Sequence, residues 1–344
     1  MKTVFFLLLC FTGYGQYDHQ SVFPDLDGEV LFDALRSSYK PQVVLELSEA
    51  RDTLYRKIHL HQDSVRCVYT GLSKFLDLTA DPSQALFEGG GNADINLEHS
   101  YPQAKGAGDG NPRSDMHHLF PTRVPVNSAR GNDPMMELPD NQTTAWYFND
   151  ETRGNPPTTG RESWSEDTNF GFEPREDFKG NIARAYFYFY TMYKEEADFD
   201  DPDFFGAQQE IMCDWHELDP VDSLEWVRTF KIAEYQDGKV NPFVLDCRLA
   251  RYYCDEIAAD CRTVKTSETE EPSISKLYPN VSPSGGVIKV NELKESALVE
   301  IYNLAGQLLF VKENRNLIAP DKPGVYLVKW LKQGHIHSGR LIVH

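Results

Sequence analysis

Basic residues are in short supply. Against 53 Asp and Glu, the 344-residue chain has 34 Lys and Arg, a formal charge of −19 at pH 7. Its surface as a whole repels nucleic acid at long range, because sequence-independent binding to phosphates comes from clustered Lys and Arg. A polyphosphate substrate would have to be met by a local reversal of charge, from arginines or a metal ion. Long apolar runs are scarce as well. MKTVFFLLLCFTGYGQ places Lys2 before an apolar run from Val4 to Phe11 and the small residues Gly13 and Gly15. This predicts a secretory signal peptide over residues 1–16, since so short a run cannot cross a bilayer core of roughly 30 Å. No other stretch is apolar enough to span a membrane, so a soluble, exported, monomeric protein is expected. Cysteines number six, and loss of the leader with Cys10 leaves Cys67, Cys213, Cys247, Cys254 and Cys261. In an oxidising compartment an odd set allows at most two bridges and one leftover thiol. None has zinc-site spacing. Cys254 and Cys261 are close enough to staple the end of a helix, although spacing alone leaves the pairing open.

What is present divides the chain in two. Residues 17–262 are rich in aromatic and charged residues. Val30, Leu31, Ala34 and Leu35 recur at helical spacing over Gly28–Ser38, and "NIARAYFYFYTMY", Asn181–Tyr193, is too densely apolar for a surface helix and reads as a central buried one. "SVRCVYTGL", Ser64–Leu72, alternates and ends at a glycine, which predicts a strand. From Thr79 to Phe172 Gly, Pro, Asn and Asp dominate with little periodicity; so long an irregular stretch is uncommon and points to function. Residues 263–276 are polar and acidic and suit a linker. Residues 277–344 are short alternating segments between Gly, Pro and Asn turns, the pattern of a small all-β sandwich. The expected fold class is α+β, a mainly helical domain followed by that sandwich.

The tail carries Leu277-Tyr278-Pro279-Asn280, Val299-Glu300-Ile301-Tyr302-Asn303 with Gly306-Gln307, and Gly324-Val325-Tyr326. In these pieces it resembles the type A C-terminal sorting domain of type IX secretion, with Val281 in place of the second proline. The resemblance implies the type IX secretion machinery as a partner and a secreted or cell-surface location.

Chemistry concentrates in "NLEHSYPQAKGAGDGNPRSDMHHLF", Asn96–Phe120, and just beyond it. Glu98 and His99 are adjacent, so a regular strand would send them to opposite faces, while a bend or bulge would bring both to one site. Pro102 argues against a regular central strand there. Glu98 can hold a hard divalent cation, and His99 can take a proton from water near neutral pH. Asp115 can orient an imidazole. Asn127, Ser128 and Arg130 stand where a helix can begin after Pro125. The Asn127 amide oxygen suits Mg²⁺ or Ca²⁺, and the Arg130 fork suits a phosphate.

These residues, with "LPDNQTTAWYF", "FEPREDFKGNIARAYFYFYTMY" and "WHELDPVDSLEWVRTF", make the span from about Val22 to Tyr253 similar to the endonuclease I family, whose core is the ββα-metal or His-Me finger motif. The resemblance implies an endonuclease acting on DNA or RNA. His99 would be its general base, with one divalent cation on Glu98 and Asn127: Mg²⁺ first, with Ca²⁺ or Mn²⁺ as options. Arg130 would lie near the phosphate, and Arg113 and Arg184 would contact the backbone or product. Ala104 stands where a small hydroxyl residue is expected. Lys105, in the glycine-rich loop with Arg113, is expected to meet phosphate, and Asp115, His117 and His118 to brace the loop carrying Asn127.

Two rival readings stand beside this one. A zinc-dependent phosphoesterase would use His99, His117 and His118; a non-catalytic surface-binding protein would use the acidic domain for contacts. His59 and His61, two apart, are read as strand residues exposed to solvent, the aromatic run Tyr186–Tyr193 as core, and Glu195–Asp203 as a solvated acidic loop.

Overall fold

The computed structural model describes residues 20–255, 257, 277–278, 281–290, 298–303, 308–313, 316–332 and 335–344. The expected leader and linker lie outside them. The chain divides into two compact units, Met1–Thr266 and Ser267–His344.

The first unit contains both helices and sheets, an α+β arrangement. Along the chain come α1 (Gly28–Tyr39), α2 (Leu47–Thr53), β1 (Leu60–His61), β2 (Ser64–Arg66), β3 (Ser73–Phe75), α3 (Pro82–Leu86), β4 (Ile95–His99), α4 (Gly110–Ser114), β5 (Leu119–Arg123) and α5 (Val124–Arg130). There follow β6 (Ala145–Phe148), β7 (Glu151–Arg153), β8 (Ser165–Asp167), β9 (Phe172–Glu173), α6 (Lys179–Met192), α7 (Lys194–Asp200), α8 (Gln209–Leu218), α9 (Ser223–Ala233) and α10 (Pro242–Leu245). β1-β2-β3, β4-β5 and β7-β6-β8-β9 form three small antiparallel sheets.

The core gathers round α6. Ile182, Tyr186, Phe187, Tyr188, Phe189 and Met192 are all wholly buried, and α1, α8 and α10 pack on the helix. Each such large apolar side chain stabilises the fold by about 1.5–3 kcal/mol, so a helix buried on every side needs no polar face, and its aromatic run is core.

Three local expectations change. The strand predicted over 64–72 stops at Arg66: the Cys67 N–H donates to Leu72 O and the Gly71 N–H to Cys67 O, and Gly71, at φ +76°, lets the chain fold back into β3 instead of ending a longer strand. The acidic run Glu195–Asp203 is largely helix α7 and not a loop, with Glu195 on Arg36 and Asp201 on Lys105. The 79–172 segment is a series of elements of seven residues or fewer, too short to show a periodicity. The structure settles one pairing that spacing left open: Cys213 on α8 is bonded to Cys254, 41 residues away. Among the described residues Cys67 is a free thiol, and it is buried.

Among the described residues the regular elements of the second unit are all β strands. β10 (Leu277–Tyr278), β12 (Val287–Val290) and β15 (Asn316–Ile318) form one sheet; β11 (Val281–Ser282), β17 (His335–Val343), β16 (Gly324–Lys332), β13 (Leu298–Asn303) and β14 (Leu308–Glu313) form the other. Ile288 and Leu317 from the first sheet share a core with Val299, Val328 and Leu341 from the second, which makes the unit a sandwich. Among the described residues, no helix is long and apolar enough to cross a membrane.

Candidate active site

β4 and β5 pair antiparallel with Glu98 opposite Phe120 and His99 opposite Leu119. The register continues to a Ser100 N–H bond with His118 O. The strand is therefore regular through the Glu-His pair, with no bulge, and Pro102 falls just beyond it. Alternation sends the two side chains to different surroundings.

Glu98 turns inward. Its Oε1 accepts from the Tyr69 hydroxyl at 3.1 Å and lies 3.6 Å from Arg130 Nη1. Burial pushes its carboxyl up to about 7, against the lowering pull of Arg130 and Tyr69. His99 turns towards an open cleft of 430 Å³ lined by α2, α3 and β4. Its Nε2 is 2.9 Å from the Arg113 carbonyl oxygen. A carbonyl only accepts, so the proton sits on Nε2 and Nδ1 carries the lone pair. The Gln103 side-chain amide reaches that Nδ1 at 3.3 Å. Desolvation lowers the imidazole to about 4, so at neutral pH it is an uncharged base.

α5 follows β5 directly. It begins at Val124, with Pro125 in its first turn, where a missing N–H costs nothing. Asn127 and Ser128 are thus inside the helix and do not cap it. The Asn127 Nδ2 donates to Asn96 Oδ1 at 2.9 Å and to Leu97 O at 3.1 Å. Both acceptors are oxygens, which fixes the amide with its own oxygen turned away from them.

Other expected site residues are placed differently. Arg130 is wholly buried; it donates to Ser100 O at 2.7 Å and the Tyr186 hydroxyl at 2.9 Å, and pairs with Glu98. It therefore positions the end of β4, with its guanidinium engaged by internal partners. Arg184 is also wholly buried, forked onto Glu225 with a further bond to Asp219 O, so it forms a core ion pair. Lys105 is held by Asp201 at 2.7 Å and lies over the Phe204 ring. Beside it Gly106, at φ +123°, packs on the α7 backbone so closely that a Cβ would come within 2.7 Å of Ala197. That part of the glycine-rich loop serves packing. Arg113 alone of the expected phosphate contacts is exposed.

The 115–119 segment is a brace. Asp115 accepts from the Tyr188 and Tyr193 hydroxyls and Gln236 Nε2, all at 2.8 Å, and from the His117 N–H; it orients no imidazole side chain. His117 gives Nε2–H to Lys239 O and His118 gives its own to Pro112 O. With His99 on Arg113 O, the three histidines bind three different carbonyls. Among the described residues no group of three or more His, Cys, Asp or Glu is placed to share a metal, which removes the three-histidine zinc site. His59 is not the solvent-exposed strand residue expected: it precedes β1, is half-buried, and accepts from Arg228 Nε at 3.3 Å.

Sequence reading missed Tyr69, Asn96 and Gln103. Gln103 alone had a signal, a polar side chain four residues after the base in the turn that Pro102 imposes. Tyr69 comes from a separate hairpin and had none.

The Endonuclease I family matches residues 45–247, a span that includes every element of this site. An extracellular ribonuclease of Bacillus subtilis (strain 168) is 34% identical over 170 residues, 45% of this chain and 52% of that protein. An extracellular ribonuclease of Bacillus amyloliquefaciens is 30% identical over 184 residues, 48% of this chain and 56% of that protein. The chain thus spans about half the length of the curated relatives it matches. A likeness to the solved structure of PorZ, a surface component of the type-IX secretion system of Porphyromonas gingivalis, covers 20% of this chain and 11% of that one at 21% identity. Its TM-score of 0.17 carries no information on the fold. With its family matched across most of the first unit and through β4, β5 and α5, the chain belongs to the endonuclease I family.

Proposed function

We propose that the protein is a secreted, divalent-cation-dependent and largely sequence-nonspecific endonuclease that hydrolyses phosphodiester bonds, with His99 as general base. RNA stands first among its substrates because both relatives above are named extracellular ribonucleases; DNA is the second. The observation that carries the reading is the His99 imidazole, held by Arg113 O so that its basic Nδ1 serves the cleft.

The donor set fits a hard cation. Tyr69 and Arg130 both engage Glu98 Oε1, which leaves Oε2, and the Asn127 amide offers its oxygen. Carboxylate and amide oxygens suit Mg²⁺, Mn²⁺ or Ca²⁺ and not a soft metal. A buried carboxyl with a pKa near 7 also lacks full compensation for its charge. When bound, the cation supplies neutralisation of charge on the phosphate and leaving oxygens. The succession β4–β5–α5 agrees with a ββα-metal core.

His99 Nδ1 takes a proton from water as the water oxygen bonds to phosphorus. The bridging P–O bond then breaks, and its oxygen leaves with a proton from solvent. The Gln103 amide on Nδ1 marks the place of that water and must give it up as the water binds. Arg113 is the cation available to a phosphate oxygen, while Arg130 keeps Glu98 and the strand end in register. None of this needs base contacts, so weak sequence preference follows. For the second unit we propose the role of a type IX sorting domain.

The test is incubation of the purified protein with RNA and with plasmid DNA, with and without EDTA. Cleavage that EDTA abolishes and Mg²⁺ or Mn²⁺ restores is expected. Cleavage of neither polymer, or cleavage indifferent to EDTA, would overturn the proposal.

A further inference from the structure

Resting on the hydrolytic reading above, we infer that the cleft beside His99 is a subsite for one unstacked nucleotide, so that single strands are the preferred substrate. The cleft holds 430 Å³ and lies between α2, α3 and β4, within the ~300–1,000 Å³ range of small-ligand sites. Four of its residues fit a nucleotide by chemistry. Phe87 lines it with its side chain 46% exposed, an aromatic face open to stack on a base. Tyr55 also lines it; the residue is 1% exposed and its hydroxyl has no hydrogen-bond partner. A buried hydroxyl without a partner is unfavourable, and a polar base edge is the kind of group that would satisfy it. Gln84 is an exposed amide that can give or take a hydrogen bond, so it suits the edge of any base.

The phosphate side is furnished too. Arg51 on α2 lines the cleft, and its nearest carboxylate is Asp52, at 4.0 Å. α2 packs on α4, which carries the exposed Arg113. Arg113 is close enough for its charge to act on His99, and Arg51 lines the same cleft, so two guanidiniums offer contacts to a polyanion on a chain of net charge −19.

Strandedness follows from cost. A paired base must leave its stack and its partner to enter a cleft, and stacking on an aromatic ring returns at best a comparable amount. A single strand has little to lose; a duplex comes out near or below zero.

The experiment measures binding of the full chain in EDTA, where no hydrolysis occurs, by anisotropy of three labelled ligands of one length. These are single-stranded RNA, the same RNA in a duplex, and an abasic sugar-phosphate oligomer. Wild type should bind the single strand more tightly than the duplex or the abasic oligomer. Phe87→Ala should weaken single-strand binding by about 5- to 150-fold and leave the abasic oligomer unchanged, and Phe87→Tyr should restore it. Equal binding of single strand and duplex, equal effects on the base-bearing and abasic ligands, or no effect of Phe87→Ala would each overturn the subsite. RNA cleavage with an indifferent Phe87→Ala sinks the subsite and leaves the nuclease. The predicted binding pattern without cleavage under any cation does the reverse.

Discussion

Arg130 and Glu98 form an ion pair at 3.6 Å in which the side chains are 1% and 2% exposed. Arg130 also binds Ser100 O and the Tyr186 hydroxyl, so one guanidinium ties the metal-ligand candidate, the residue after the base and the central helix together. Breaking a buried pair strands the remaining charge and costs about 3–5 kcal/mol. Arg130→Met should lose that much stability in urea unfolding, and Arg130→Lys, which keeps the charge but not the fork, should lose less. A loss under about 1 kcal/mol, as for a surface pair, would show that the pair does not hold the strand end.

Tyr69 donates to the same carboxylate. It contacts no proposed ligand, so its effect should be on Glu98 alone. Tyr69→Phe should weaken Mn²⁺ binding by about 10- to 100-fold, as the loss of an outer-shell hydrogen bond does, measured by calorimetric titration without substrate. Unchanged affinity would place the cation elsewhere.

His216, buried in α8 with Nε2 on Cys247 O, is pushed down to about 3 by burial and then by the Arg184 charge. An unfolded chain takes up this proton near pH 6.5 and the native one does not. Stability due to the neutral ring is therefore complete above pH 6.5 and lost as pH falls towards 3, by up to about 1.4 kcal/mol per pH unit. Glu166 and Asp219, both raised to about 7 by burial, act in the opposite sense. The variant comparison isolates the ring: between pH 6.5 and 4, His216→Gln should lose stability less steeply than wild type, by that slope. Parallel curves would refute the assignment.

The Cys213–Cys254 bridge closes a separation of 41 residues, worth about 4 kcal/mol in the chain-entropy model. Cys213→Ser together with Cys254→Ser should lower the free energy of unfolding by nearly that amount while leaving metal-dependent cleavage in place. A change within about 1 kcal/mol would mean that the unfolded chain is already compact there.

Periodicity made α1 and α6 legible, because each is decided by residues within its own span. The Glu-His pair and Asn127 stand out in the sequence for a similar reason: Glu98 and Asn127 lie only 29 residues apart (127 − 98) and each belongs to its own short motif. What escaped was whatever depends on partners far along the chain. Nothing near Arg130 or Arg184 in sequence tells that one meets Tyr186 and the other Glu225 in the core; the phosphate role expected of Arg184 comes from the family resemblance alone, and that of Arg130 from the resemblance and its guanidinium fork. The Asp115 carboxylate likewise finds Tyr188, Tyr193 and Gln236 only once α6 is packed. Cysteine pairing is open in the sequence for the same reason, since the Cys213–Cys254 bridge forms only once α8 is packed.

The most direct measurement is single-turnover RNA cleavage by His99→Ala beside wild type at saturating Mg²⁺, with melting temperature and RNA binding in EDTA recorded for both. A positioned general base contributes about 10²–10⁴-fold. Cleavage should therefore fall by at least about a hundredfold in a variant that still folds and binds RNA; cleavage within a few-fold of wild type would contradict the assignment of His99 as the base.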